Sequence, residues 1–89
     1  MTTAEVEIGQ IVKSKQGRDK GKIYLVLEIV SGDYVLLVDG DTRKINNPKK
    51  KKIKHLMVYN SKINDIIEKL KQESLDDFFI KKSLAPFKS

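Results

Sequence analysis

The chain has 89 residues and carries 18 Lys and Arg against 12 Asp and Glu, a formal net charge of +6. This length allows one small domain, with or without an appendage. The absence of cysteine excludes a disulfide framework and a thiolate metal site, and it fits a reducing cytoplasm. Residues 1–5 lack the features of a signal peptide and every apolar run is too short to cross a bilayer, so we expect a cytoplasmic protein with no membrane partner.

The positive charge is concentrated in the first two thirds of the chain. Residues 9–59 hold twelve basic and five acidic side chains, whereas residues 60–89 hold six basic and five acidic ones. A basic domain attracts polyanions, chiefly nucleic acid or an acidic membrane surface. The charge distribution therefore predicts a polyanion-binding surface in residues 9–59.

The apolar pattern of this basic segment predicts a series of short β-strands. The first three are Gln10–Ser14, Lys22–Val30 and Tyr34–Val38, separated by the loop Lys15–Gly21 and by a hairpin turn at residues 31–33. In the second strand the apolar residues fall two apart, which is typical of a strand with one buried face. The loop is short, polar and cationic, and its two glycines favour positive φ.

The remaining strand pattern is weaker. Asp39-Gly40 predicts a type I′ hairpin turn, which needs positive φ at two successive residues, and Thr42–Ile45 would then be a fourth strand. Residues 46–48 end it, Lys49–Lys52 is a run of charge, and Ile53–Tyr59 carries a last short strand. Five short strands with tight turns indicate a mainly β fold, a small five-stranded SH3-like barrel over residues 1–59.

Residues 60–89 are predicted to form a C-terminal helical extension of two short helices. The first has apolar residues at helical spacing, namely Ile63, Ile66, Ile67 and Leu70, with Asn60 or Ser61 as its N-cap. The second starts at the N-cap Ser74, presents Leu75, Phe78 and Phe79 on one face, and ends before Pro86. A barrel this small buries only about 60% of its unfolded surface. We therefore expect the helices to pack inward and complete the core, and the alternative is that they form a partner surface.

The sequence offers no catalytic or metal-binding constellation. The spacing of Gly17 and Gly21 does not fit a Walker phosphate loop, and the residues that follow Asp39–Asp41 do not complete a calcium loop. His55 is the only histidine, so it lacks the neighbours that a metal or catalytic site requires. We expect neither an enzymatic activity nor a cofactor.

The cationic loop and its flanking strands resemble a KOW motif, the strand–loop–strand element of many ribosomal proteins and NusG-type transcription factors. Gly17, the pair Lys20-Gly21, and Val26 match the motif, whereas Tyr24 stands where many KOW motifs have a glycine.

The resemblance extends over residues 8–57, to the small KOW-domain RNA-binding proteins of low-GC Gram-positive bacteria. These are similar in turn to a KOW-bearing protein of the archaeal and eukaryotic large ribosomal subunit. Its more specific part is Val38-Asp39-Gly40 followed by the Lys-rich stretch and Lys54-His55-Leu56. The resemblance implies an SH3-like barrel, RNA binding and association with the large ribosomal subunit.

We interpret the two basic segments as one RNA-binding surface. The glycines of the loop allow a phosphate to approach backbone N–H groups while the nearby cations contact it, and the second segment follows the backbone of the same RNA. The predicted RNA-binding residues are Lys15, Gly17, Arg18, Lys20, Gly21, Lys22, Arg43, Lys44, Lys49, Lys50, Lys51, Lys52 and Lys54. Because aromatic residues are only 7% of the chain, recognition should depend on phosphates and shape more than on stacking. We expect a monomer whose partner is ribosomal RNA, with a ribosomal protein as a further partner.

Other interpretations of the same residues stay open at this point. Lys49–Lys52 is also compatible with a solvated loop, and the loop glycines with simple turn residues. Tyr24 and Tyr34 each fit either a stacking role or the core. The alternative function is a protein-interaction adaptor that docks through the barrel and through Phe78 and Phe79. An aromatic groove would favour the adaptor, and a continuous basic face would favour RNA.

Overall fold

The computed structural model describes residues 6–88, so residues 1–5, to which the expectation about a signal peptide refers, lie outside the described part. Five strands form one antiparallel sheet in the order β4-β3-β2-β1-β5, with the bounds β1 Gln10–Ser14, β2 Ile23–Ile29, β3 Tyr34–Val38, β4 Lys49–Lys52 and β5 Leu56–Lys62. The remaining elements are a 3₁₀ helix Ile53–His55 between β4 and β5, helices α1 Asp65–Lys71 and α2 Asp77–Leu84, and a final 3₁₀ helix Ala85–Phe87.

The fold is therefore mainly β with a C-terminal helical tail, as predicted, and the sheet is consistent with a small SH3-like barrel. Within residues 6–88, no helix combines the length and the apolar character that a membrane crossing would need.

The central strands are buried on both faces, and this produces two separate core clusters. On one face strand residues pack mainly against each other, and we call this cluster the strand-side core: Val12, Tyr24, Val26, Val35, Leu37 and Leu56. On the other face the helical tail covers the sheet, and we call this cluster the tail-side core: Ile11, Ile23, Leu25, Val38, Ile66, Ile80 and Leu84. Because successive side chains of a strand point to opposite faces, neighbours such as Ile11 and Val12 serve different cores.

Three corrections concern the strands. Lys49–Lys52, expected as a charge run outside the strands, is the edge strand β4 and pairs with β3. Thr42–Ile45, predicted as a strand, belongs to the loop between β3 and β4. The segment Ile53–Tyr59 begins with a 3₁₀ helix, and the last strand continues beyond it to Lys62.

The loop between β3 and β4 is held by carboxylates rather than by a neighbouring strand. Oδ1 of Asp39 accepts hydrogen bonds from the backbone N–H groups of Asp41 at 2.9 Å and Arg43 at 2.8 Å. Oδ1 of Asp77 in α2 accepts the N–H of Ile45 at 2.8 Å. Only Gly40 of the expected type I′ pair has positive φ (+78°), and a Cβ there would lie 2.7 Å from the Lys81 backbone nitrogen. The loop therefore docks tightly on α2.

The two predicted helices are present, but their N-cap residues and some of their buried residues differ from the prediction. The first starts at Asp65 with Asn64 in the N-cap position, and the second is capped by Asp76, which accepts the N–H of Phe79, rather than by Ser74. Of the expected inward face of the first helix, Ile66 is fully buried, whereas Ile67 and Leu70 are exposed. In α2 the buried residues are Ile80 and Leu84, while Phe78 is 72% exposed.

Candidate nucleic-acid interface

The cationic loop between β1 and β2 is a compact turn with two residues in the left-handed region. Gly17 has φ of +90° and Gly21 has φ of +93°, as the sequence predicts. The N–H of Gly21 donates to the carbonyl of Ser14 at 2.8 Å and closes the base of the turn. The turn leaves the side chains of Arg18 and Lys20 exposed to solvent.

One buried carboxylate, that of Asp19, organises the loop. Its side chain is 7% exposed and accepts hydrogen bonds from the Ser14 hydroxyl at 2.8 Å and the Tyr24 phenol at 3.1 Å. The Nζ of Lys51 lies 2.8 Å from Oδ1, and the Nζ of Lys49 lies 3.2 Å from Oδ2. Burial opposes its ionisation, but these partners, Lys51 first, hold the pKa of Asp19 well below its usual range. The carboxylate therefore stays charged and fixes all four groups.

The Asp19 contacts bring the two basic segments together. Asp19 belongs to the loop between β1 and β2, whereas Lys49 and Lys51 belong to β4 at the edge of the sheet. The Nζ of Lys51 also donates to the carbonyl oxygen of Gln16 at 2.8 Å, so it contacts the loop at two points. The loop and β4 therefore lie side by side.

The lysines of β4 are divided by strand alternation. Lys49 and Lys51 pair across from Leu37 and Val35, whose side chains belong to the strand-side core, and their ammonium groups close over Asp19. Lys50 and Lys52 point to the other face, where their Nζ atoms lie 4.9 and 5.9 Å from the centre of the Tyr34 ring. Lysines along an edge strand also discourage pairing with another chain. The run thus has structural roles beside any role in binding.

The 3₁₀ helix between β4 and β5 adds a further cation beside the loop. The backbone N–H of Lys15 donates to the carbonyl of His55 at 2.8 Å, which places the start of the loop next to this helix. Burial and then the positive charges of nearby lysines, with Lys54 the largest contributor, lower the pKa of His55. The contributing cations come from both segments. Because β4 is the edge strand, cations on its two faces adjoin each other around that edge. We call this joint surface the basic face, which consists of Lys15, Arg18, Lys20, Lys49, Lys50, Lys51, Lys52 and Lys54.

The single histidine can report the potential of the basic face. Because the surrounding lysines disfavour a second positive charge, we expect His55 to titrate below the pH at which it titrates in the unfolded chain. Lys54→Gln should raise the pKa of His55, and so should high salt, which screens the lysines. Nuclear magnetic resonance titration of the imidazole ring measures this directly. Lys62→Gln, at the far end of β5, should leave the value unchanged, and an equal shift in both variants would contradict a local effect.

The other predicted cations, Lys22, Arg43 and Lys44, have different surroundings. The Nζ of Lys22 donates to the hydroxyl of Thr42 at 3.1 Å, linking the start of β2 to the loop between β3 and β4. In that loop Arg43 is half-buried and Lys44 is exposed.

Two cations outside the predicted set lie close to Gly21. Lys13 and Lys88 line a depression of about 300 Å³ together with Gly21, Lys22 and Asp39. The sequence contains a weak indication for Lys13, because it is the only cation within the predicted first strand, Gln10–Ser14. The sequence contains no such indication for Lys88, because only the fold of the tail brings this residue to the loop.

The basic face consists of lysines and one arginine. Asp19 is the only acidic residue in the two segments 15–22 and 49–54 that supply it. Among residues 6–88, no three side chains of the types that ligate metals form a group able to hold an ion.

No protein-family model matches the chain, and no curated protein is significantly similar to it.

Proposed function

We propose that this chain is an RNA-binding module that contacts ribosomal RNA of the large subunit through its phosphates and its shape. The observation that carries the proposal is the junction at Asp19, which holds two cationic segments side by side and leaves Arg18, Lys20 and Lys50 exposed. Exposed cations attract a phosphate backbone, and binding releases the counterions of that backbone. The ribosomal part of the proposal is supported by the resemblance of residues 8–57 to KOW-domain proteins.

The structure refines which cations we assign to phosphates. The Nζ of Lys51 is occupied by Asp19 and by the Gln16 carbonyl, and its side chain is only 10% exposed. We therefore assign it to the architecture of the loop and not to RNA. Lys49 is 27% exposed and shares Asp19, so we give it a secondary role. The principal contacts are assigned to Lys15, Arg18, Lys20, Lys50, Lys52 and Lys54.

The proposal predicts a specific salt dependence of RNA affinity. If about five phosphates are contacted, the slope of log affinity against log salt should be about −3.5 to −4.5. The double variant Arg18→Gln/Lys20→Gln removes two contacts, so its slope should flatten by about 1.4 to 1.8. The loss should be the same for unrelated RNA sequences, because phosphate contacts carry little sequence information. Anisotropy titrations over a salt series on two RNAs measure both quantities.

A charge-matched control separates the basic face from net charge alone. The variant Lys81→Gln/Lys82→Gln removes the same charge from exposed positions on α2, and it should keep the slope and most of the affinity. Equal losses in both double variants, or an affinity that does not change with salt, would overturn the proposal. Crosslinking and sequencing of the RNA bound in native cells then tests the ribosomal assignment, which fails if other RNAs dominate.

The adaptor alternative has less support. Among residues 6–88, Tyr24 is buried with its phenol on Asp19, and Phe79 packs on the tail-side core. Phe78 is exposed on α2 with the Nζ of Lys82 6.0 Å from its ring centre, and Tyr34 lies beneath two lysines of β4. These four rings do not form the aromatic groove that peptide recognition by such a barrel requires, and the remaining two, Tyr59 and Phe87, pack against each other and the tail-side core.

A further inference from the structure

A depression lies where the turn between β2 and β3 meets the end of β4. It has a volume of about 270 Å³ and is lined by Gly32, Asp33, Tyr34, Lys52, Ile53 and Lys54. The turn is fixed by backbone hydrogen bonds, since the carbonyl of Tyr34 accepts the N–H groups of Val30 at 3.0 Å and Ser31 at 3.2 Å. The N–H of Ile53 donates to the carbonyl of Asp33 at 2.8 Å and ties the turn to the 3₁₀ helix. The depression is therefore bounded by fixed backbone.

Tyr34 is the aromatic residue of this depression, and it belongs to neither core cluster. Its ring is half-buried at the start of β3, whereas Tyr24, in the neighbouring strand, is 1% exposed and part of the strand-side core. The ammonium groups of Lys50 and Lys52 lie within 6 Å of the ring centre. A half-buried ring beside several cations suits a nucleotide, which presents an aromatic base and a phosphate close together.

We propose that this depression takes one unpaired nucleobase, which stacks on Tyr34 in place of the lysine ammonium groups that lie over the ring, while Lys52 and Lys54 contact the adjoining phosphate. The inference rests on the proposed function and adds a preference for RNA with an unpaired base, which phosphate contacts alone do not give. Bases within an RNA duplex have both faces covered by their neighbours, so only a bulge, a loop or a single strand offers a free face. The module would then bind an RNA site where an unpaired base adjoins a paired segment that lies on the basic face.

Asp33 sets which base is preferred. It lines the same depression, is exposed, and has no ion-pair partner among residues 6–88. An ionised carboxylate only accepts hydrogen bonds, and guanine presents two adjacent donors, N1–H and N2–H, that fit its two oxygens. Uracil presents a single donor between two carbonyl oxygens, which a carboxylate repels. We therefore expect guanine to be favoured over uracil.

The test compares three RNAs that share one blunt duplex: the duplex itself, the duplex with one bulged guanosine, and the duplex with one bulged uridine. A stacked base is worth about 1–3 kcal/mol, so the bulged guanosine RNA should bind about 5- to 150-fold more tightly than the plain duplex. Tyr34→Leu should reduce this ratio to about twofold or less, while Tyr34→Phe, which keeps the ring, should retain it. Asp33→Asn should reduce the preference for guanosine over uridine and leave the preference for a bulge.

Several outcomes would overturn the inference without touching the proposed function. Equal affinity of the wild-type chain for the three RNAs, with the expected salt slope, means that phosphates are bound and no base is stacked. Equal losses for Tyr34→Leu on all three RNAs mean that Tyr34 only supports Lys50 and Lys52. An unchanged guanosine preference in Asp33→Asn overturns the role of Asp33. Salt-insensitive or undetectable binding of every RNA would instead overturn the proposed function. The circular dichroism spectrum and thermal melt of each variant verify that the fold is retained.

Discussion

A chain that ends at Lys62 is expected to be unfolded at 25 °C, although it retains all five strands. The truncation removes three fully buried side chains of the tail-side core, Ile66, Ile80 and Leu84. Their burial contributes about 4.5–9 kcal/mol before the entropy of ordering. Domains of this size are stable by about 5–15 kcal/mol in total. Circular dichroism and a thermal melt of the truncated chain measure the effect, and a cooperative melt at the full-length temperature would contradict it.

Substitution of two adjacent isoleucines of α1 tests separately whether the packing of the tail stabilises the fold. Ile66 is 0% exposed and Ile67 is 45% exposed. Ile66→Ala should therefore lower the free energy of unfolding by about 2–5 kcal/mol, because it leaves a cavity against the sheet. Ile67→Ala makes the same chemical change in the same helix and should cost about 1 kcal/mol or less. Urea denaturation of both variants separates these values, and similar losses at the two positions would show that α1 does not pack as described.

Asp19→Ala is the second substitution with a large expected effect on stability. It would leave the ammonium of Lys51, which is 10% exposed, and the phenol of Tyr24 without their carboxylate partner. Removing one member of a buried charged pair costs about 3–5 kcal/mol, because the remaining charge is desolvated and unpaired. Denaturant titration at pH 7 measures the loss. Asp41→Ala, at an exposed acid of the next loop, is the control and should cost about 0.5 kcal/mol or less.

The same carboxylate should govern the acid sensitivity of the fold. Its partners hold the pKa of Asp19 in the folded chain below the ordinary value, which is about that of the unfolded chain. Its contribution to stability is therefore complete above about pH 4 and is lost as the pH falls towards the folded pKa. Asp19→Asn removes the titrating group, so its stability should fall less steeply below pH 4 than that of the wild type. Parallel slopes in the two proteins would mean that other acids control acid unfolding.

The strands that the sequence predicted well are those with apolar alternation. β1 and β3 have the predicted bounds, and β2 differs by one residue at each end, because a buried strand requires β-forming apolar residues that are visible in the sequence. β4 lacks this signal entirely. It is a strand because β3 has backbone groups to satisfy at its free edge, and a polar segment can supply those hydrogen bonds.

The wrong prediction of a strand at Thr42–Ile45 has a different cause, because here the pattern favours a strand and the structure has a loop. The sequence carries a hairpin signal at Asp39-Gly40, but the Asp39 carboxylate accepts the N–H groups that a strand partner would otherwise bind. Asp77, more than thirty residues away, accepts another at Ile45. A side chain that competes for backbone hydrogen bonds turns a potential strand into a loop, and a local pattern does not reveal the competition.

By itself, the sequence determined the segregation of positive charge into residues 9–59, the positive-φ turn at Gly17 and Gly21, and the mainly β fold with a helical tail. These features depend on composition, local conformation and short-range alternation. Only the tertiary structure decided which cations remain free. Strand alternation turns Lys51 onto Asp19 and Lys50 towards Tyr34, and the docking of the tail buries Ile66 while leaving Ile67 exposed. Identical neighbours in the sequence thus differ because burial and pairing are set by contacts between residues far apart in the chain.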